Sequence, residues 1–187
     1  ISQSLNKAVE LIGAAGDMGA SIDVFHMMMK EAEKEVPAAL LSMVKMLAEA
    51  PENQRITMLE SRLREFVAMA DKQRAEALIQ MIKAVATLPA DKRVELAKSR
   101  IACLCDKFDE STRKALATTH IMVLMNLPEA TRKEDLEATF ASLKHLSEQH
   151  RNTFANTMKA IMAELPAQQR EMMMSQLPPE ARAMLGP

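Results

Sequence analysis

The sequence predicts an all-α fold of tandem antiparallel helical hairpins, about 38 residues each, forming an α-solenoid-like or layered array. Three observations predict it. Arg55, Arg74, Arg93, Arg113, Arg132, Arg151 and Arg170 form a ladder with intervals of 19, 19, 20, 19, 19 and 19 residues. Pro51, Pro89, Pro128 and Pro166 recur at 38, 39 and 38 residues, each four residues before a ladder arginine. Aligned on those arginines, the fourth residue on reads Leu59, Leu78, Ala97, Ala117, Leu136, Ala155, Met174, and the eleventh reads Phe66, Val85, Leu104, Leu124, Leu143, Met162. The eighth reads Leu63, Ile82, Ile101, Ile121 and Phe140 before breaking at Lys159. Offsets of 4, 8 and 11 fall on one stripe of an α-helix, so each rung is one amphipathic helix and a short turn.

Taken in order, residues 1–12 read as a short helix with Leu5, Val9, Leu11 and Ile12 on its apolar side. Gly13, Gly16 and Gly19 follow as a flexible turn, since neither the strand nor the Lys-Ser/Thr of a phosphate loop accompanies them. Ser21 suits the N-cap of a helix from Ile22 to about Val36, and Pro37 restarts a helix that runs to about Ala48. The 19-residue register fails there, because stepping back from Arg55 lands on Val36. Residues 1–50 are therefore an atypical N-terminal helical cap, and 51–187 the repeat array. Within it the hairpins fall near 51–88, 89–127 and 128–165, with a truncated unit at 166–187.

Helices are expected near 52–68, 72–87, 90–107, 110–126, 129–145 and 148–164. The turns that open them alternate in chemistry. Proline fits the first helical position, where its missing N–H loses no partner. Glu52, Asp91 and Glu129 then favour the helix macrodipole. Asp71, Asp109 and Ser147 read as N-caps of the intervening helices. Leu177-Pro178-Pro179 cuts the last unit short before a final turn from Glu180 to Leu185. The ladder arginines are expected to hold the repeat together, their stems packed on the next hairpin and their heads on neighbouring carboxylates.

The hairpin period resembles that of HEAT-like and tetratricopeptide-like repeats, and its length is similar to that of octotricopeptide repeats. The resemblance is one of architecture. The chain has no Trp or Tyr with which to fill the tetratricopeptide positions, so no functional residue is carried over.

Composition narrows the function. The net charge of −1 and a pI near 6.5 remove the electrostatic case for nucleic acid. Five Phe and no Trp or Tyr leave no stacking platform for bases. No apolar run approaches the roughly 18–20 residues needed to cross a bilayer. Cys103 and Cys105 lie on different faces of one helix and are expected to be small buried hydrophobes rather than a disulfide or a zinc site.

Methionine is the oddity, at 17 residues, with triplets at Met27, Met28, Met29 and at Met172, Met173, Met174. Together with Phe25 these are the candidate partner-binding residues, because flexible, polarizable side chains suit adaptable surfaces. His26, His120, His145 and His150 are expected in capping or surface roles, although Asp23 and His26 share a helix face. No nucleophile elbow, metalloprotease motif or thiol-protease signature is present, and no cofactor or metal is implied.

The expected function is non-catalytic: a helical-repeat adaptor, linker or structural subunit that binds a protein partner within a larger assembly. A chain beginning at Ile1 without methionine suggests a removed presequence, and hence an organellar photosynthetic or respiratory membrane complex with the chain at its periphery. The alternative is a small-molecule or pigment carrier with an apolar cavity between helices. An RNA-binding repeat protein is the third reading, and the charge speaks against it.

Overall fold

The structure is a computed structural model and describes residues 22–185, a few side chains excepted. The expected first helix, the glycine turn and the Ser21 cap lie outside the described residues. Among those described there are ten helices: α1 (Ile22–Glu33), α2 (Ala38–Glu49), α3 (Glu52–Ala68), α4 (Asp71–Ala86), α5 (Ala90–Lys107), α6 (Glu110–Met125), α7 (Glu129–Leu143), α8 (Glu148–Glu164), α9 (Ala167–Gln176) and α10 (Pro179–Leu185). The described chain is helical throughout, with short connections and no strand.

Proline does its work one residue earlier than expected. Pro51, Pro89, Pro128 and Pro166 occupy the N-cap, with ψ of 147°, 150°, 144° and 147°. They are extended residues just outside the helix, and their carbonyls accept its first bond, as in Arg55 N to Pro51 O at 2.9 Å and Arg93 N to Pro89 O at 3.0 Å. A residue before proline is driven out of the α region, so the preceding helix has already stopped. Ala50 (φ −64°, ψ 146°) and Leu165 (φ −77°, ψ 141°) show this.

Two of the three polar caps form. Asp109 accepts from Thr112 N at 2.7 Å, and Ser147 accepts from His150 N at 3.1 Å. Asp71 does not cap: Ala70 holds that position, and Asp71 is the first helical residue, its carboxylate 3.0 Å from Arg74. A carboxylate there still faces the positive end of the macrodipole.

Packing skips a helix. The most extensive contacts join α3 to α5 and α5 to α7, then α4 to α6 and, three apart, α1 to α4, and then α2 to α4 and α6 to α8. Contacts between helices three apart, such as α4 with α7 and α5 with α8, come next. Consecutive helices, such as α2 and α3 or α3 and α4, touch far less. The main partner of a helix is thus the second one along the chain. The pairing that a 38-residue hairpin implies, each helix on its immediate neighbour, is the slighter contact.

The apolar stripe is the core. Every apolar residue at offsets 4, 8 and 11 named above is buried or half-buried, and Lys159 is exposed. The largest cluster gathers Leu63 and Phe66 of α3, Leu78, Ile79 and Ile82 of α4, Cys103 of α5, and Val123 and Leu124 of α6. Met28 of α1 joins it at 1% exposure. The α1 helix is further tied to α4 by polar contacts. Gln80 Nε2 donates to the carbonyl of Glu31 at 3.0 Å and to its carboxylate at 2.8 Å, while Lys83 Nζ donates to the carbonyls of Ala32, at 2.7 Å, and Lys34. Residues of α4 thus supply donors to carbonyls at the C-terminal end of α1, where internal partners run out.

Candidate functional site

The ladder arginines act across the turns. Arg55 Nη2 donates to Ala50 O at 2.8 Å, Arg74 Nη2 to Met69 O at 2.9 Å, and Arg93 Nη1 to Leu88 O at 2.7 Å. Arg113 reaches Phe108 O and Arg151 reaches Leu146 O, both at 2.5 Å; Arg170 reaches Leu165 O at 3.2 Å. Arg132 differs, its head lying 3.5 Å from Met125 O. Each guanidinium therefore caps the end of the preceding helix, where carbonyls lack partners and the macrodipole favours a cation. The expected carboxylate partners are secondary: Arg55 meets Glu95 at 3.3 Å and Arg93 meets Glu134 at 4.0 Å. Arg182, four residues after Pro178, repeats the contact on Leu177 O at 3.1 Å and is an eighth rung that the spacing alone does not reveal.

The ladder also fixes a register that leads to a cavity. A trough of about 420 Å³ runs through the array, with walls from α2 through α9. It is lined at offsets 4, 8 and 11 by such residues as Leu59, Ile82 and Leu104, and at offset 3 by Met58, Leu116, Phe154 and Met173. Six methionines reach it: Met43, Met58, Met81, Met125, Met158 and Met173.

A polar cluster from three helices interrupts this lining. Asp135 of α7, its side chain 10% exposed, lies 2.9 Å from His120 Nε2 of α6 and 3.8 Å from Arg100 Nη1 of α5. Arg100 Nη2 donates to Thr139 Oγ1 at 3.1 Å. Burial pushes the Asp135 carboxyl up, but the charges of His120 and Arg100 and their hydrogen bonds outweigh it and hold the group down at about 2. Asp135 is then a carboxylate that only accepts, so His120 Nε2 is the donor. His120 is accordingly neither a cap nor a surface residue, and it pairs across two helices. The signal for this trio lies in the register. Asp135 is the one polar residue at offset 3, and Arg100, His120 and Thr139 share offset 7 with Arg62.

The methionine triplets are placed otherwise. Met28 is core, Met27 and Met29 are half-buried, and so are Met173 and Met174. The side chains of Phe25 and Met172 lie outside the described residues. The exposed large hydrophobics among the described residues are Met46 and Val67.

His26 and His145 are exposed, and His150 pairs with Asp106 at 2.8 Å. Cys103 is fully buried, and burial followed by the charge of Glu60 pushes its thiol up to about 11. Cys105 is half-buried and raised for the same first reason. Among the described residues no group of three or more His, Cys, Asp or Glu is placed to hold a metal ion. No described helix is long and apolar enough to cross a membrane. No family model, curated protein or solved structure matches this chain.

Proposed function

We propose that the chain is a non-catalytic helical-repeat protein that mediates protein–protein interaction as an adaptor or structural subunit of a larger assembly. The observation that carries this reading is the trough, built from one repeated register of seven helices, α3 to α9, with α2 added at one end, and rich in methionine. Methionine adapts its shape to a partner, and a helix-in-groove partner inserts side chains rather than its backbone into such a cavity. In the same reading the chain is a tandem array of two-helix units of about 38 residues, supported by the recurrence of the proline turn and the arginine cap.

The test is the native mass of the protein in its source extract, with and without a charge in the trough. The adaptor reading requires a complex well above 20.8 kDa with defined companions. Met58→Glu and Met125→Glu, both half-buried trough residues, should release those companions without abolishing the helical signal. A protein that runs alone overturns the reading.

A second reading, a small-molecule carrier, is favoured by one specific observation. The large apolar residues of the trough are all buried or half-buried, so the lining forms a slot rather than an open face. Its volume falls in the range of about 300–1,000 Å³ usual for ligand pockets.

A further inference from the structure

We propose that the trough is an oxidation site: hydrogen peroxide converts the half-buried thioethers that line it, among them Met58, Met125 and Met158, to sulfoxides and so closes it to an apolar partner. The proposal rests on the adaptor reading and adds its regulation. Placement comes first. The six trough methionines are all half-buried, neither sealed in the core nor free on the surface. They come from α2, α3, α4, α6, α8 and α9, so the modification acts along the whole lining. Elsewhere Met46 is 56% exposed, whereas Met28 and Met162 are 1% and 6% exposed. The molecule thus carries its own fast and slow references.

The reaction is a single oxygen transfer. The thioether sulfur gives two electrons to peroxide, and an S–O bond forms as the O–O bond breaks. The displaced hydroxide takes the proton left on the transferred oxygen and departs as water. A flexible apolar side chain becomes a polar one. Its new oxygen accepts hydrogen bonds, yet the polar groups of the lining are engaged with one another. His120 meets Asp135 at 2.9 Å, Arg100 meets Thr139 at 3.1 Å, and Arg62 meets Glu65 at 2.6 Å. The sulfoxide is therefore met by water, which an apolar partner must strip at a cost. The cysteines do not divert the oxidant at neutral pH. The thiolate is the reactive form, and burial pushes the Cys103 thiol up to about 11 and raises that of Cys105.

The test is peroxide treatment of the full chain at neutral pH, with sulfoxides mapped by peptide mass spectrometry and the trough probed with Nile red, a neutral apolar dye. Met58, Met125 and Met158 should oxidise after Met46 and well before Met28 and Met162. As they do, dye affinity should fall about tenfold or more with the helical signal unchanged. Methionine sulfoxide reductase with a dithiol should restore both sulfur and affinity. Met46→Leu should leave the loss as it is, whereas Met58→Leu with Met125→Leu and Met158→Leu, swaps close in volume, should shrink it. Trough methionines that oxidise no faster than Met28 overturn the site. Unchanged dye affinity after their oxidation, or a loss that tracks the helical signal, overturns the effect. A loss that the reductase does not reverse overturns the regulation. An unoxidised chain that binds no dye overturns the proposal also, while the adaptor reading still turns on native mass. The order of oxidation on the unaltered chain decides even if the triple variant does not fold.

Discussion

Arg74 Nε donates to the carbonyl oxygen of Phe66 at 2.8 Å. The same guanidinium holds Met69 O, so one side chain closes the last turn of the helix before its own. Hydrogen bonds from a charged donor contribute about 1.5–3 kcal/mol each. Arg74→Ala, which loses two such bonds, should therefore lower the unfolding free energy by about 3 kcal/mol in urea titrations. Arg132→Ala, which loses a single contact of 3.5 Å, should cost about 1 kcal/mol or less. Equal losses at the two positions would mean that the arginines act through their stems and not their heads.

Ile79 is 1% exposed inside the largest apolar cluster, and Ile79→Ala should cost about 2–5 kcal/mol as transfer and cavity terms add. Leu104→Ala removes a half-buried side chain that already borders the trough, and its cost should lie at or below the lower end of that range. Denaturant midpoints of the two variants decide the order.

Asp135 gives the fold a dependence on acid. Its folded pKa of about 2 lies below the ordinary carboxylate value, so its stabilisation is complete above about pH 4 and is lost as pH falls toward 2. The depression corresponds to about 2 kcal/mol. Unfolding free energy measured from pH 5 to pH 2 should fall by about that amount more in the unaltered chain than in Asp135→Asn. Parallel curves would remove Asp135 from the account.

Much of this arrangement is legible in the sequence, for physical reasons that stop at a definite point. Proline, Asp109 and Ser147 punctuate the chain because they act on their own backbone, so the helix limits from Glu52 to Glu164 can be read locally. The stripe through Leu63, Ile82 and Ile101 is legible because burial follows helical period. The target of the arginines is not, since every residue has a carbonyl and none announces which will be left unpaired. Nor is the meeting of Arg100, His120 and Asp135. Their offsets from the ladder mark them as unusual, but they come from α5, α6 and α7, and which of them meet depends on how the helices stack. The burial of Met28 is hidden for a related reason: it looks like surplus apolar surface until α4 is packed upon α1.

Cys103 is fully buried with its thiol held protonated, whereas Cys105 is half-buried. A disulfide reagent at pH 8 should label Cys105 in the native protein and Cys103 only in denaturant. Cys105→Ser should abolish the native reaction. Fast modification of Cys103 in the folded chain would show that the central cluster opens.

The alternate-helix packing has a bearing on length. Since α3, α5 and α7 stack on one another and α2, α4, α6 and α8 do the same, the array has a parity. Prolines open the first set, and Ala70, Asp109 and Ser147 open α4, α6 and α8, whereas α2 is opened by Pro37. Inserting a single 19-residue helix would hand every later segment to the wrong stack, with the wrong entry chemistry. A change of length that kept both the stack and the entry chemistry would have to come in twos, the step at which Pro51, Pro89, Pro128 and Pro166 recur.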